Sequence, residues 1–306
     1  MPGALSVALV FRVGSDLLLL HKKTIVMKMI SMTWQRFVRR GILVSAVLIM
    51  NACVTDDAEP EPNPSTGSAD FIPTKGNKYV YKVESEGSSA EATRWISAES
   101  DSVGINVSNM RTEISAFGQT LTLNDAIFSI KGKTYTQIKL PDAWYQSIQM
   151  LDALPDIDII SSTTVGYPAY LTIDNVIKDG SKLEINGPVQ QEQHVEYTDH
   201  GKAGSMEQIL LTHAGAATVE TLNLAGGSFV CSKFAYRITK TITITVDGKT
   251  DTMDGVEDIT LWVAHGIGMV KQESSEESAI LMPTATGGVK LVKTSSSSTT
   301  TLYNIK

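Results

Sequence analysis

Residues 241–248 have the sequence Thr-Ile-Thr-Ile-Thr-Val-Asp-Gly. Apolar side chains alternate with threonines, and this period of two is typical of a strand with one buried and one exposed face. The Asp247-Gly248 pair at its end supplies the positive φ angles that a tight type I′ turn needs. The stretch therefore predicts a strand that leads into a β-hairpin, which means antiparallel pairing.

The same alternation continues through most of the chain beyond residue 70. Tyr79, Tyr81 and Val83 alternate with Val80 and Lys82. Strands are also predicted at 218–224, 228–239, 259–264, 269–273, 289–293 and 299–305, and turns at Lys131-Gly132 and Asp179-Gly180. No alternation of strands with long helical crossovers appears, so a parallel α/β sheet is disfavoured. We therefore predict one mainly β, antiparallel domain over residues 70–306, folded as an open curved sheet or half-barrel.

One short helix is predicted to pack on this sheet. Pro141 can open a helix over residues 142–153, where Trp144, Ile148 and Leu151 fall on one face at helical spacing. In a β-protein an apolar helical face usually covers a sheet, and contact with lipid or a partner is the other interpretation.

Residues 32–52 have the three parts of an export signal: a basic start, an apolar run over residues 42–50, and a small residue before the cleavage point. The run is too short to span a bilayer, which takes about 20 apolar residues. The segment Ile49-Met50-Asn51-Ala52-Cys53 resembles the lipobox of bacterial lipoproteins, and this resemblance implies that the sulfur of Cys53 carries diacylglycerol. Residues 53–69 are rich in proline and acids and are predicted to be a tether. Residues 1–31 fit no export signal, so we interpret them as a mis-assigned upstream extension.

Charge and anchoring limit the partners that we expect. Seven of the 26 basic residues and one of the 33 acidic residues precede Cys53, which leaves a formal charge of −13 downstream. A surface with this much negative charge repels the phosphate backbones of nucleic acids. Nucleic acid is therefore not an expected partner. The membrane is an expected partner, because two or more acyl chains on Cys53 would anchor the protein stably. Val54 stands where inner-membrane lipoproteins usually have Asp, so the resemblance implies an outer-membrane lipoprotein, periplasmic or surface-exposed.

Reactive and metal-binding side chains form no recognisable catalytic motif. Lipidation of Cys53 would leave Cys231 as the remaining thiol, and its apolar neighbours favour a buried, inert side chain. His194 and His200 lie among acids, and we interpret them as part of a polar surface hairpin rather than a metal site. The acids at 247, 251, 254, 257 and 258 depart from the spacing of a calcium loop and indicate a solvated hairpin. We predict no catalytic residue, metal or cofactor.

Two C-terminal blocks form the most distinctive local pattern. The first is the segment 227–233, Gly-Ser-Phe-Val-Cys-Ser-Lys, and the second extends from Trp262 to Lys271. Trp262 is predicted to be a packing anchor, while Gly266 and Gly268 permit positive φ or close backbone approach. In this combination the chain resembles the TapB-like lipoproteins and related families of unknown function, which pair a G-x-F-x-C-x-K strand with a W-x-A-x-G-[VI]-G-x-V strand pair. The resemblance extends over residues 76–305 and implies an open, curved antiparallel sheet.

Three functions follow as hypotheses. The first is a non-catalytic envelope lipoprotein, a binding or structural module for an unknown protein or ligand. The second is a carrier of an apolar or lipid ligand in a cavity between the sheet and the Trp144 helix. The third is an extracellular hydrolase that uses two carboxylates, whose separation only a structure can give. An apolar cavity would favour the carrier, and converging acids or histidines with perturbed pKa values would favour the hydrolase.

Overall fold

The computed structural model describes residues 69–85, 88–116, 119–138, 147–149, 151–154, 156–284 and 288–306. The predicted export signal, Cys53, almost all of the tether and Trp144 lie outside these residues. The described residues form fifteen strands: β1 (Tyr79–Ser85), β2 (Ser88–Ser102), β3 (Ile105–Ala116), β4 (Gln119–Ile130), β5 (Lys133–Ile138), β6 (Ile157–Val165), β7 (Ala169–Asp174), β8 (Lys182–Asn186), β9 (Gln190–Asp199), β10 (Lys202–His213), β11 (Gly215–Leu224), β12 (Gly227–Val246), β13 (Lys249–Ala264), β14 (Gly268–Pro283) and β15 (Val289–Ile305).

The sheet is antiparallel, as predicted, but it is closed rather than open. β11 pairs with β8 on one side and β12 on the other, so twelve strands form a ring in the order β1, β2, β3, β4, β5, β7, β8, β11, β12, β13, β14 and β15, with β15 returning to β1. Closure at β8 and β11 rests on two residue pairs, Leu183 with Gly215 and Lys182 with Ala216. Period-two alternation carries no information about such distant pairings, so the sequence predicts an antiparallel sheet but not its closure.

A three-stranded branch leaves the ring at β12. The first part of β12 pairs with β11 through Phe234, and the second part, from Arg237, pairs with β10. β9 and then β6 continue the branch. β12 is therefore shared by the ring and the branch, which explains its length of 20 residues. The predicted strands at 228–239 and 241–246 are one continuous strand.

Tight turns form at two of the three positions where a glycine pair predicted them. Lys131-Gly132 and Asp247-Gly248 both have positive φ at both residues and join adjacent strands directly, as type I′ turns require. Only Gly180 of the Asp179-Gly180 pair has positive φ, and it lies in a longer loop between β7 and β8. Asp179 instead accepts a hydrogen bond from the backbone N–H of Val219, 2.8 Å away.

The long strands β12 to β15 contribute to several separate hydrophobic cores. Two cores near the β13–β14 turn contain, among others, Tyr79, Trp262 and Leu302 in one and Phe71, Phe234 and Leu261 in the other. Another core lies towards the opposite ends of these strands: Leu151, Ile157, Val195, Tyr197, Met206, Ile242, Ile244, Leu281 and Leu291. In β12 the buried residues change from odd to even positions after Cys231, because the strand leaves one core and joins another.

A polar band separates the cores along β12, β13 and β14. Lys240 Nζ lies 2.8 Å from Glu257 Oε2 and 2.5 Å from Glu276 Oε1, and all three side chains are 20% exposed. Burial by itself lowers the pKa of the Lys240 ammonium, but the two carboxylates outweigh burial and raise that pKa. The Lys240 ammonium therefore stays charged between apolar regions.

The predicted helix is present only as a short helical segment among the described residues, at 147–149 and 151–152. Leu151 is fully buried in the core that contains Ile157 and Val195, and Ile148 packs beside it. The helical segment therefore lies directly on the sheet.

Candidate functional site

The β13–β14 turn marks one end of the long strands, which we call the near end. Gly266 N donates to Asp70 O at 2.9 Å, and Thr74 N donates to Gly266 O at 2.8 Å. Tyr79 Oη also donates to Gly266 O, at 2.9 Å. A Cβ on Gly268, whose φ is +75°, would lie 2.9 Å from the carbonyl oxygen of Phe71. The turn therefore holds the segment 70–74 by which the chain enters the domain.

Trp262 lies beside this turn and is 3% exposed. Its indole Nε1 donates to Glu220 Oε2 at 3.2 Å. The ammonium groups of Lys233 and Lys271 lie 5.0 and 4.8 Å from its ring centroid, within the range of cation–π attraction. These contacts place Trp262 in a packing position of the near end.

Three segments of the chain meet at the opposite end, which we call the far end. They are the β9–β10 turn at His200-Gly201, the β12–β13 turn at Asp247-Gly248, and the start of β15 at Gly288. They border a depression of about 500 Å³, whose apolar side chains are Ile244, Val246 and Val289. Its charged and imidazole groups belong to Asp199, His200, Lys202, Asp247, Lys249, Asp251 and Lys290. We call this the far-end depression.

Close polar contacts fix several of these side chains. His200 Nδ1 lies 2.6 Å from Asp199 Oδ1, and His200 Nε2 lies 3.5 Å from Asp156 Oδ2. The hydrogen bond with Asp199 raises the pKa of His200. Lys202 Nζ lies 2.5 Å from Asp247 Oδ2, and this hydrogen bond lowers the pKa of Asp247. Carboxylate, imidazole and ammonium groups are therefore paired with one another at the depression.

A buried hydroxyl lies beside the depression. Tyr197 is fully buried, and its hydroxyl has no hydrogen-bond partner among the described residues. Its ring occupies the space over Gly204, where a Cβ would lie 2.5 Å from Cε2. Gly204 is paired with Val246 of the depression. Burial, and then the charge of Asp199, raise the pKa of Tyr197 to about 12, so the hydroxyl is neutral and can donate.

The spacing of the five acids near the β12–β13 hairpin predicted a solvated hairpin rather than a calcium site. In the structure most of these acids have partners of their own. Asp258 forms two contacts with Arg237, at 2.6 and 2.8 Å. Asp254 Oδ1 accepts a hydrogen bond from Thr241 at 2.7 Å. Glu257 belongs to the polar band, while Asp247 and Asp251 lie at the far-end depression.

The remaining reactive side chains have local partners. Cys231 is fully buried, and burial raises the pKa of its thiol to about 12, so it is not a thiolate at neutral pH. His265 Nε2 lies 2.8 Å from the carbonyl oxygen of Asn175. His194 lies between Glu192 and Glu207 on the exposed face of the β9–β10 hairpin.

His194 and His200 lie in the β9–β10 hairpin, as predicted, with Asp199 among the acids beside them, whereas sequence reasoning missed Tyr197 and Glu207. The position of Glu207 could have been predicted, because a turn at His200-Gly201 places residue 207 opposite residue 194. A His-Gly pair is a weaker turn signal than Asn-Gly or Asp-Gly, so the sequence predicted a hairpin here without the position of its turn. Tyr197 has no local pattern that distinguishes it from other residues of an alternating strand.

No helix among the described residues is long and apolar enough to cross a membrane.

No model of a known protein family matches the sequence, and no curated protein sequence matches it significantly. Two solved structures are similar to the described fold. A Bacteroides fragilis protein, described as exported and as having a YmcC-like fold, is 14% identical, with a TM-score of 0.39 over 78% of this chain and 99% of its own. A Parabacteroides distasonis protein, described as a lipoprotein, is 13% identical, with a TM-score of 0.38 over 79% of this chain and 100% of its own. Similarity at this level assigns no role to any residue of this chain.

Proposed function

We propose that the protein is a lipoprotein of the bacterial cell envelope, anchored in the outer membrane through Cys53, and that its β-domain is a non-catalytic binding module. The far-end depression is its binding surface. The ligand is a polar molecule that carries hydroxyl groups and charges of both signs.

The observation that carries this proposal is the separation of the two ends of the long strands. The segment 70–74, which follows the predicted tether, is held at the near end. The depression lies at the other end of β13, a strand of 16 residues. At about 3.3 Å per residue, the two ends are roughly 50 Å apart. A chain attached to a membrane through Cys53 can therefore present the depression away from its point of attachment.

The chemistry of the depression supports a polar ligand. Lys249 and Lys290 supply ammonium groups, and Asp199 and Asp251 supply carboxylates. Such a set can bind sugars and short peptides through many hydrogen bonds. The apolar carrier receives less support, because Leu151 and Ile148 pack directly against the sheet where the carrier hypothesis placed its cavity.

Metabolic labelling with radioactive palmitate tests the anchor. We expect the full chain to incorporate label and to fractionate with membranes, and Cys53→Ala to do neither. Cys231→Ala is the matched control, because it removes the other cysteine, and it should be labelled like the wild type. A chain that begins at Met32 should also be exported and labelled. Labelling that survives Cys53→Ala would refute anchoring at this residue.

Binding to purified cell-wall muropeptides tests the depression, because these fragments carry hydroxyl, amino and carboxylate groups. We expect the full chain to bind them, and Lys249→Glu to weaken binding at least about tenfold, since one reversed charge in a ligand site costs more than about 1.4 kcal/mol. Lys178→Glu, at an exposed position outside the depression, is the control and should bind normally. Absence of binding, or equal binding by both variants, would refute the proposed ligand class.

A further inference from the structure

Glu192, His194 and Glu207 form a compact group on the exposed face of the β9–β10 hairpin. Glu192 and His194 are two residues apart in β9, so both side chains lie on the same face of the sheet. Glu207 is directly opposite His194 in β10. One potential ligand atom from each of the three residues lies within 4.8 Å of the other two.

The contacts within this group are already short. His194 Nε2 lies 2.9 Å from Glu192 Oε2, and His194 Nδ1 lies 3.3 Å from Glu207 Oε1. Gln190 Nε2 donates to the other oxygen of Glu192 at 2.6 Å. Hydrogen bonds of this kind orient a carboxylate and are common behind metal ligands.

We propose that Glu192, His194 and Glu207 bind one divalent transition-metal ion, with Zn²⁺ the best match. This site goes beyond the proposed function and does not depend on it. One ring nitrogen of His194 and one oxygen of each glutamate would bind the ion, and water would complete the coordination. The two ring nitrogens point in different directions, and each now contacts one glutamate. The ion would therefore replace both of these hydrogen bonds, and both glutamates would turn towards it.

The geometry suits a small ion. Zn–N and Zn–O bonds of about 2.0–2.2 Å place tetrahedral ligand atoms about 3.3 Å apart. The three ligand atoms all lie within 4.8 Å of one another, which exceeds this value by at most about 1.5 Å. The paired strands hold the three Cα atoms in fixed register, so binding requires no change in the backbone.

The residue types favour a transition metal over calcium or magnesium. Imidazole with carboxylates is a typical ligand set for zinc, whereas calcium takes six to eight oxygen atoms. The nearest residues in the same cross-strand row are Thr163 and Thr243, which carry no charge. Thr163 and Thr243 therefore bring no positive charge next to the proposed ion.

The alternative is that His194 forms only hydrogen bonds with the two glutamates. Isothermal titration calorimetry of Zn²⁺ into the full chain, after treatment with a chelator, distinguishes the two. We expect one ion per chain, with affinity reduced at least about tenfold in His194→Ala and in Glu207→Gln. His213→Ala is the matched control, because His213 is an exposed histidine of the same hairpin whose ring lies 3.3 Å from Thr239 Oγ1. That variant should bind like the wild type.

X-ray absorption at the zinc edge gives a second readout. We expect one imidazole nitrogen and otherwise oxygen ligands in the wild type, and no imidazole ligand in His194→Ala. Far-UV circular dichroism checks that each variant folds, which we expect because all three side chains are more than a quarter exposed. Absence of Zn²⁺ binding, or binding that His194→Ala leaves unchanged, would overturn the proposal.

Discussion

The polar band gives the most informative stability experiment, because it places charge between hydrophobic cores. Lys240→Met removes the ammonium and leaves Glu257 and Glu276 facing each other across one strand pair. Removing one partner of a fully buried ion pair costs about 3–5 kcal/mol. Since the three side chains are 20% exposed, water weakens the repulsion, and we expect a loss of about 2–3 kcal/mol at pH 7.

The sign of the pH dependence follows from the Lys240 ammonium. Its pKa is raised above the ordinary value of 10.5 in the folded state, so it contributes stability that is complete below the unfolded pKa and is lost as the pH rises through the folded pKa. The difference in unfolding free energy between wild type and variant should therefore shrink above about pH 10. Urea denaturation at several pH values measures it.

A triple variant is the control for this experiment. Lys240→Met with Glu257→Gln and Glu276→Gln removes the unpaired charges, so most of the lost stability should return. A single variant as stable as the wild type, or a triple variant no more stable than the single one, would refute the reasoning.

Three further predictions concern the near end, the far-end core and the β9–β10 turn. Gly268→Ala should destabilise the protein by about 1–3 kcal/mol in thermal unfolding, whereas Gly132→Ala, with similar φ and no neighbouring atom within 4 Å, should cost less. Leu281→Ala, in the far-end core, should cost about 2–5 kcal/mol, and its exposed neighbour Ile280→Ala about 0.5 kcal/mol or less. The pKa of His200 is raised in the folded state, so the protonated imidazole stabilises the protein below its unfolded pKa. This stability is lost as the pH rises through the folded pKa. His200→Gln should abolish that decline in denaturation midpoints measured from pH 5 to 8, and an unchanged profile would contradict the assignment.

The local structure could largely be predicted from the sequence. Alternation at residues 241–246 and the Asp247-Gly248 pair gave the correct strand, turn and pairing direction. The predicted strands at 289–293 and 299–305 both belong to β15, which also continues through the serines at 295–298. Fold class follows from such patterns because they depend on neighbours along the chain.

Closure of the ring could not be predicted, because it depends on distant residues. Tyr79 pairs with Ile305, and Gly215 pairs with Leu183, and neither pairing has a turn signal. The far-end depression is equally non-local, since residues of three different hairpins line it. Tyr197 illustrates the limit: its burial depends on Gly204 in the next strand, which alternation alone does not reveal.

The distance between the two ends tests the central claim most directly. Spin labels at position 249 at the far end and position 304 beside the near end can be placed in the Cys53→Ala chain, because Cys231 is buried and should not be labelled. Double electron–electron resonance should give a single main distance of about 50 Å, set by the rise of roughly 3.3 Å per residue along β13. A main distance below about 30 Å would mean that the depression and the segment 70–74 are not at opposite ends of the strands, and it would contradict the proposed arrangement.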